Sequence, residues 1–392
     1  MVKDRDFMQR ALELAIMGRG YTSPNPMVGA VLVKQGRIIG QGFHERYGDK
    51  HAEIRAIENA VEPVEGATLY CNLEPCCHTI PGKKTPPCTH RLIQERIRKV
   101  VVSTIDPNPH VSGNGLRALK AAGIEIQSGI FAREATLLNE AYFKFIQTGE
   151  PFIHLKIAQS LDGRIATRSG DARWITDVSA RQMVQEMRQN ADAILVGIGT
   201  VLVDNPRLTL RTKNGRQPYR IVLDSRLRIP DHATLLQDQF ADRTIIITSP
   251  DADKTRRETL AHRGIRVEVL NKNSSEFIDL DELMAFLQRL GVASLLVEGG
   301  SAVFTRFIQK RRFDKLSVFI APILIGEGRE AIQDLHINRL RDALRLELVT
   351  FRTIGHQMLV EGYRDIHRTF GKLAEELTCS QDSWKKWEPS LS

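Results

Sequence analysis

The stretch His51-Ala52-Glu53 decides the fold of the first half of this chain, together with Glu74-Pro75-Cys76 and Thr85-Pro86-Pro87-Cys88 further along. His51 begins a predicted helix, Cys76 follows a predicted strand, and Cys88 stands at the start of the next predicted helix. One imidazole and two thiolates form a known ligand set for catalytic zinc, with the fourth coordination position open to water. The three stretches therefore predict a zinc site with His51, Cys76 and Cys88 as ligands.

The residue beside this predicted metal site indicates a reaction. Zinc in such a site lowers the pKa of bound water to about 7 and so supplies hydroxide near neutral pH. Glu53 is two residues from His51, close enough to stand beside that water without binding the metal. A carboxylate there can take the proton of the water and pass it to a ring nitrogen and a departing amine. We therefore predict Glu53 as the catalytic residue of a deamination at a cytosine-like ring.

The neighbouring cysteines and histidine allow a different interpretation. A purely structural zinc takes four protein ligands, and Cys77 or His78 could supply the fourth. Cys77 adjoins Cys76 and cannot easily bind in the same geometry, so we treat it as a neighbour. Cys71 lies in an apolar stretch and is predicted to be a small core residue. A closed structural site stays an open alternative at this point.

Length, charge and cysteine content narrow the class of protein. A chain of 392 residues exceeds what one core usually serves and favours two or three domains. The net charge of +8 is spread along the chain without an RNA-binding motif, so we predict no nucleic-acid partner. No stretch approaches the roughly 20 apolar residues of a membrane span, and no secretion signal stands at the start, so we predict a cytoplasmic protein without a membrane partner. Four of the five cysteines crowd into one segment, which favours metal or catalysis over disulfides.

Helical and strand patterns alternate along both halves and predict an α/β protein. In the first half the predicted strands are Met27 to Lys34, Arg37 to Phe43, Ala67 to Asn72, Lys99 to Thr104 and Ile124 to Gln127. A helix opened by Thr85-Pro86-Pro87 and a single helix from Glu134 to Gly149 are also predicted. In the second half the predicted strands are Phe152 to Ala158, Ala193 to Val196, Arg220 to Leu223, Thr244 to Thr248, Arg266 to Leu270, Ser294 to Val297 and Leu316 to Leu324, with a closing hairpin of Leu344 to Phe351 and Gln357 to Tyr363.

The chain is predicted to divide into a zinc-dependent deaminase domain (1–149), a second domain (150–364) and a C-terminal tail (365–392). Gly149-Glu150-Pro151 marks the first boundary. The tail is polar and charged, yet it holds Trp384 and Trp387. A loose tail is the simpler interpretation, and docking on the body of the protein or on a partner subunit is the alternative.

The zinc motif resembles the H-x-E and P-C signature of zinc deaminases, but the usual P-C-x-x-C spacing is absent because Cys88 follows Cys76 by 12 positions. This long spacing, with His78 inside it, is similar to that of the bifunctional riboflavin-pathway deaminase/reductase family. Further motifs share the resemblance, namely Ser23-Pro24-Asn25-Pro26-Met27-Val28-Gly29, Gly42-Phe43-His44 and Asp106-Pro107-Asn108-Pro109. The loop Thr79 to Lys84 is longer than the common form of the family.

The resemblance implies a cytidine-deaminase-like α/β/α sandwich followed by an α/β domain similar to dihydrofolate reductase. It also implies that Asn25 hydrogen-bonds the pyrimidine ring and that His44 contacts the phosphoribosyl part of the substrate. Taken without the resemblance, His44 would pass as a surface histidine.

The second half lacks the G-x-G-x-x-G fingerprint of dinucleotide-binding folds. Val297-Glu298-Gly299-Gly300-Ser301 is the better candidate, because two glycines between a strand and a helix let backbone N–H groups approach a phosphate. An ordinary tight turn is the alternative. The segments Leu155 to Arg164, Trp174-Ile175-Thr176 and Gly197 to Thr209 resemble the reductase domain of the same family.

For this second domain the resemblance implies an NADPH-dependent reductase. The implied cofactor-binding positions are Ala158, Trp174, Thr200, Asp204, Ser225, Gly299, Gly300, Ser301, Ala302, Val303, Phe304 and Thr305. The implied substrate positions are Lys156, Ala172, Arg188, Leu208, Arg211 and Glu298, of which the arginines suit a phosphate. Ala172 falls where the family often has a serine, whose hydrogen bond is then lost or supplied by Arg173. Lys156 is expected to assist opening of the ribose ring.

Together these inferences imply two consecutive steps of riboflavin synthesis on small phosphoribosyl pyrimidines, with Zn²⁺ and NADPH as cofactors, in a homo-oligomer (dimer or tetramer). A deaminase of tRNA bases with an unrelated second domain is one rival interpretation. The other rival interpretation is a binding module with a structural zinc site that binds nucleic acid and has no catalytic activity. Zinc-dependent ammonia release, and NADPH oxidation only after that product forms, separates the three.

Overall fold

The computed structural model describes residues 3–78, 86–172, 175–211, 216–272 and 277–379, which form two compact units. Among these residues, unit 1 comprises 3–149 and 367–379, and unit 2 comprises 150–366. The predictions made for the loop Thr79 to Lys84, for Arg173 and Trp174, and for Trp384 and Trp387 lie outside the described residues.

Unit 1 is an α/β unit built on a five-stranded sheet of order β2-β1-β3-β4-β5. Its strands are β1 (Gly29–Lys34), β2 (Arg37–Phe43), β3 (Thr68–Leu73), β4 (Lys99–Thr104) and β5 (Glu125–Ser128). Its first six helices are α1 (Asp4–Ile16), α2 (Ala52–Glu58), α3 (Cys88–Gln94), α4 (Asn114–Ala121), α5 (Ala132–Leu138) and α6 (Glu140–Thr148). Strand β1 pairs antiparallel with β2 and β3, whereas β3, β4 and β5 are parallel.

Both faces of the unit 1 sheet are covered, and the alternation of the strands explains why. Leu32 of β1 lies in one buried cluster, whereas its neighbours Val31 and Val33 lie in the cluster on the other face. The predicted hairpin is confirmed, since Gln35 and Gly36 both have positive φ (49° and 75°), as a two-residue turn with matching twist requires.

Two predicted helices of unit 1 differ from the structure. The predicted helix from Glu134 to Gly149 is two helices, α5 and α6, because Asn139 between them leaves helical geometry and turns its side chain to the Met27 backbone. Thr85 lies outside the described residues, and the helix predicted to open at Thr85-Pro86-Pro87 begins at Cys88 among the described ones, with Pro87 in non-helical geometry before it. Cys88 therefore occupies the first helical turn.

Unit 2 contains a nine-stranded sheet of order β11-β10-β9-β8-β12-β6-β13-β16-β15 and a two-stranded ribbon of β14 and β7. The strands are β6 (Phe152–Ser160), β7 (Arg164–Thr167), β8 (Ala193–Gly197), β9 (Tyr219–Leu223), β10 (Thr244–Thr248), β11 (Arg266–Val269), β12 (Ser294–Gly299), β13 (Lys315–Ala321), β14 (Gly328–Glu330), β15 (Glu347–Ile354) and β16 (Gln357–Tyr363). The helices are α7 (Val178–Asn190), α8 (Ile198–Asp204), α9 (Thr234–Gln237), α10 (Lys254–His262), α11 (Leu280–Arg289) and α12 (Ser301–Gln309).

The unit 2 sheet is parallel from β11 to β13, and β16 and β15 continue it antiparallel. Strand β10 shows how both faces are buried, since Ile246 packs into one cluster and its neighbours Ile245 and Ile247 into the other. Strands buried on both faces are near-continuous apolar runs, which is why the sequence predicted most of them. Among the described helices, none combines the length and the hydropathy that crossing a membrane requires.

The end of the chain is folded as far as it is described. A short helix α13 (Ile366–Phe370), a 3-10 turn (Gly371–Leu373) and a helix α14 (Ala374–Cys379) follow β16. Residues 367–379 belong to unit 1 although they follow unit 2 in the sequence. The first part of the predicted tail is thus docked on the first unit.

Candidate active site

Three elements of unit 1 bring the predicted metal ligands together. His51 is the N-cap of α2, Cys76 follows the end of β3, and Cys88 is the first residue of α3. The Nδ1 atom of His51 lies 3.5 Å from the Sγ atom of Cys76 and 3.3 Å from that of Cys88. All three ligand atoms lie within 4.8 Å of one another.

This donor set fits zinc. With Zn–N near 2.0–2.1 Å and Zn–S near 2.3 Å, tetrahedral coordination separates a nitrogen from a sulfur ligand by about 3.6 Å. The two nitrogen-to-sulfur distances are close to that value. The backbone N–H of Cys88 also donates to Cys76 Sγ, at 3.4 Å, as expected for a thiolate at a helix N-terminus. A hydrogen bond from the Cys88 thiol lowers the pKa of Cys76 below its ordinary value.

Among the described residues, the group of side chains that could bind a metal ion consists of His51, Cys76 and Cys88. The thiol of Cys77 instead faces the carbonyl oxygen of His110, at 3.8 Å. Three ligands leave a coordination position open, as a catalytic site needs and a structural one does not. Cys71 is fully buried in β3, which confirms that it is a core residue.

Glu53 lies in the first turn of α2 and is 3% exposed, so its carboxyl group is almost out of water. Burial raises the pKa of Glu53 above its ordinary value. A carboxyl group of raised pKa beside a metal site is suited to carry a proton in both directions.

Asn25 and His44 form one wall of this site. The Nδ2 atom of Asn25 lies 3.1 Å from His44 Nε2, and His44 Nδ1 lies 3.1 Å from the Lys50 carbonyl oxygen. Burial lowers the pKa of His44, so its ring is neutral near pH 7, with Nδ1 donating to Lys50 and Nε2 accepting from Asn25. The ring centres of His44 and His51 are 5.5 Å apart. The structure therefore brings the two predicted substrate residues together beside a metal ligand.

A second group of side chains, Glu74, Asp106 and Tyr142, lies near the metal ligand Cys76, and the sequence analysis gave its members no role. The Glu74 carboxylate accepts from the backbone N–H groups of Asp106 (3.3 Å) and Gly113 (2.8 Å), and so ties the loop after β4 to the segment before Cys76. The phenol of Tyr142 donates to Asp106 at 2.8 Å. Burial raises the pKa of Asp106 to about 7. Glu74 stands in the motif Glu74-Pro75-Cys76 and Asp106 in the motif Asp106-Pro107-Asn108-Pro109, whereas Tyr142 had no sequence signal.

In unit 2, three of the predicted substrate residues form a buried charge cluster. Glu298 accepts two hydrogen bonds from Arg188, at 2.5 and 2.9 Å, and Lys156 Nζ lies 4.0 Å from its Oε2 atom. The side chains of Lys156 and Glu298 are 12% and 6% exposed. Burial lowers the pKa of Lys156 from its ordinary value. These residues come from β6, α7 and β12, so no sequence window contains them together.

Close packing at the end of β12 explains the two adjacent glycines. A Cβ atom at Gly299 would lie 2.7 Å from the hydroxyl oxygen of Thr200, and Gly300 has a φ of 98°, which favours glycine. Helix α12 begins at the next residue, Ser301. The predicted strand–Gly–Gly–helix junction is therefore present, with Thr200 of α8 against it.

The remaining predicted residues of unit 2 have different environments. The Leu208 side chain is buried in a hydrophobic cluster and has a φ of 52°, so only its backbone can face a ligand. Phe304 and Thr305 are also buried, at 3% and 5% exposure. The Arg211 backbone is held by the Gln185 side chain at 3.0 Å. Ala158, Ala172, Ser225, Ser301 and Val303 are partly exposed, and Asp204, Ala302 and Arg211 are exposed.

Two family models match the chain, one in each half. Residues 1–104 match the cytidine and deoxycytidylate deaminase zinc-binding region, and residues 151–360 match the RibD C-terminal domain. The riboflavin biosynthesis protein RibD of Aquifex aeolicus is 41% identical over 358 residues, which cover 91% of this chain and 97% of that protein. The RibD protein of Escherichia coli is 38% identical over 369 residues, 90% of this chain and 97% of that one.

Solved structures show the same relationship. The Thermotoga maritima diaminohydroxyphosphoribosylaminopyrimidine deaminase/5-amino-6-(5-phosphoribosylamino)uracil reductase has a TM-score of 0.79 and 38% identity, over 92% of this chain and 98% of that one. The Acinetobacter baumannii RibD structure has the same TM-score with 35% identity, over 92% and 99%.

The fold and the metal group define a two-domain enzyme in which a zinc-dependent deaminase precedes a reductase. This class, the two activities and the fold class agree with the predictions and are confirmed. The chain belongs to the RibD family of bifunctional riboflavin biosynthesis proteins. The match to a zinc-binding region confirms the predicted zinc, and the reductase domain agrees with the predicted NADPH.

Proposed function

We propose that this enzyme first hydrolyses the amino group of 2,5-diamino-6-(5-phosphoribosylamino)pyrimidin-4-one and then reduces the ribosyl group of 5-amino-6-(5-phosphoribosylamino)uracil to ribityl with NADPH. The observation that carries the proposal is the group of His51, Cys76 and Cys88 with buried Glu53 two residues from its histidine. The Thermotoga maritima relative is named for both a deaminase and a reductase activity. The substrates are small molecules, so neither step requires nucleic acid.

In the first step, His51, Cys76 and Cys88 would hold the zinc ion and would leave one position for water. Zinc, when bound there, makes that water acidic enough to act as a nucleophile near neutral pH. Glu53 would accept one proton of the water and pass it to the ring nitrogen, and it would then transfer the second proton, from the hydroxyl group formed on the ring carbon, to the amine that leaves as ammonia. Its burial keeps bulk water from competing for that proton. Asn25 holds the pyrimidine edge, and His44 stands beside it on the phosphoribosyl side.

In the second step, the protein positions the sugar against the cofactor more than it performs acid–base chemistry. Residues of α8 and of the Gly299–Gly300 junction would hold NADPH, which would supply the hydride for reduction at the sugar C1′ carbon. Lys156 donates a proton to the ring oxygen as the ribose ring opens, which its lowered pKa favours. Glu298 keeps the Lys156 ammonium group in place and is itself fixed by Arg188. Arg211 binds the substrate phosphate.

The proposal is tested by following ammonia and NADPH separately. Zinc-loaded enzyme given the diaminopyrimidine substrate releases ammonia, and it oxidises NADPH only after the deaminated product has formed. Absence of ammonia from this substrate refutes the first step. Oxidation of NADPH with undeaminated substrate at the same rate refutes the order. The proposed domains are 1–149 and 150–364; the homo-oligomer and the cytoplasmic location stay predictions.

A further inference from the structure

The C-terminal segment 367–379 is a part of this chain that neither catalytic step uses. The RibD C-terminal domain match ends at residue 360, before the segment begins. The segment is nevertheless well packed, since Phe370, Ala374 and Leu377 are exposed by only 1%, 0% and 1%. Ala374 and Leu377, three residues apart, lie on one face of α14, and Phe370 is the last residue of α13. The segment thus buries one face and belongs to unit 1.

The contacts of this segment lead to helices α5 and α6. Helix α14 packs against α5, and the guanidinium group of Arg133 in α5 donates to the Leu377 carbonyl oxygen at 3.0 Å. Arg133 itself is only 8% exposed. At Gly371, where φ is 59°, a Cβ atom would overlap the amide of Gln147 in α6. The segment therefore holds α5 at one point and α6 at another.

Helices α5 and α6 in turn hydrogen-bond the loop of Met27 and the loop of Asp106, both near the deaminase site. The side chain of Asn139, between the two helices, accepts from the Met27 N–H at 2.7 Å and donates to the Met27 carbonyl at 3.0 Å. Tyr142 of α6 donates to Asp106 at 2.8 Å. Asn139 is 4% exposed, so its bonds replace contacts with water.

From these two anchors, short connections reach the site. Met27 is two residues from Asn25, and the next residue, Val28, accepts from the His44 backbone N–H at 2.8 Å. The Asp106 N–H bonds the Glu74 carboxylate, two residues before Cys76. One pair of helices thus connects to the loop of the predicted substrate residues and to the loop of Asp106.

We propose that the segment 367–379 is a brace for the deaminase pocket, and that Asn139 and Tyr142 are positioning residues through which it acts. The brace sets the positions of the loops of Asn25 and Asp106, while β3, α2 and α3 carry or precede the zinc ligands and Glu53. Loss of the brace therefore weakens substrate binding and leaves zinc in place. This inference rests on the proposed first step.

The test compares Leu377→Asp with Thr378→Asp in the full-length enzyme. Both place the same charge in α14, but Leu377 is buried and Thr378 is exposed. We expect Leu377→Asp to raise the KM for ammonia release about tenfold, as misplacement by a fraction of an ångström does, with a smaller change in kcat. Zinc content and the NADPH oxidation rate with supplied deaminated product stay within about twofold of the parent enzyme. Equal KM values for the two variants would overturn the proposal.

Tyr142→Phe supplies a second test that removes one hydroxyl group and does not depend on the folding of Leu377→Asp. It raises the same KM in the parent enzyme, and it adds little when combined with Leu377→Asp, because the two changes act on one connection. Fully additive effects, or an unchanged KM in Tyr142→Phe alone, contradict the brace. Parent enzyme that releases no ammonia contradicts the proposed function instead, so the two failures are distinguishable.

Discussion

The two sites of this chain are built on opposite principles. The deaminase site takes its metal ligands and its catalytic carboxylate from segments at helix starts and at a strand end, with His51 and Glu53 in one tripeptide. The proposed reductase site takes Lys156, Arg188 and Glu298 from two separate strands and a helix. A metal fixes the geometry of the first site through a few strong bonds, whereas many moderate contacts fix the second. A single substitution should therefore cause a large loss of activity in the first site and a smaller, partial loss in the second.

Removal of zinc should have the largest effect on activity, because it should abolish deamination and leave reduction unchanged. With the metal chelated, three side chains can no longer activate water, and we expect ammonia release to fall to the rate of the reaction without enzyme. NADPH oxidation with supplied deaminated product should stay unchanged. Metal analysis with both assays after dialysis against a chelator checks this, with zinc added back as the control. Loss of both activities that zinc restores together would remove the contrast.

Glu53→Gln should come next, with a loss of about a thousandfold in kcat for deamination, since general acid–base groups contribute roughly 10²–10⁴. Glutamine keeps the size of the side chain but cannot carry the proton. Zinc content should remain that of the parent enzyme, because Glu53 is not in the ligand group. Glu58→Gln at the end of the same helix is the matched control. A variant that keeps more than a tenth of the parent rate would exclude Glu53 as the proton carrier.

The same contrast explains how much the sequence could predict. The metal site was predictable in full, because His51, Cys76 and Cys88 carry their chemistry in their residue types and lie beside predictable helix starts. Asn139 and Tyr142 were not, because an asparagine that breaks a helix looks like any other polar residue until its partner, Met27, is known.

In the second half of the chain, the strands could be predicted from apolar runs in the sequence. The residues of the proposed reductase site could not be predicted in this way. The family resemblance named Leu208 as a substrate residue, yet only the structure shows that its side chain faces the core. The pairing of Glu298 with Arg188 joins residues far apart in sequence and has no local signature. Sites made of local motifs can be predicted from sequence, whereas sites made by strand order need the fold.

The buried histidine His154 in unit 2 should make the unfolding free energy of the protein depend on pH. Burial lowers the pKa of His154 to about 3, and its Nε2 atom lies 2.7 Å from the Ser317 hydroxyl oxygen. Below pH 6.5 the unfolded chain binds a proton at this residue, whereas the folded protein does not bind it until about pH 3. The unfolding free energy therefore decreases as the pH is lowered from 6.5 to about 3. Between pH 7 and pH 5 the loss from this one group is about 2 kcal/mol.

His154→Gln should therefore flatten the pH dependence of the unfolding free energy, measured by urea denaturation at pH 7 and pH 5. The exposed His262→Gln is the control and should leave the slope unchanged. An equal slope in the parent enzyme and His154→Gln would show that the ring is already charged in the folded state. A retained deaminase rate across the same variants would place the effect in unit 2.

Arg211→Ala should have the smallest effect on activity of the substitutions considered. It directly tests whether binding in the proposed reductase site depends on many separate contacts. Arg211 is exposed, and the segment that carries it is held by its own backbone bond to Gln185, so the loop should keep its course when the side chain is removed. What disappears is one charged contact with the substrate phosphate, for which we expect a rise of about tenfold in the KM for reduction and an unchanged kcat. Arg289→Ala, an exposed arginine at the end of α11, should change neither constant. Because phosphate binding is made to the ground state and the transition state alike, a fall in kcat would mean that Arg211 positions the reacting carbon, and the reductase site would then depend on single residues as strongly as the deaminase site does.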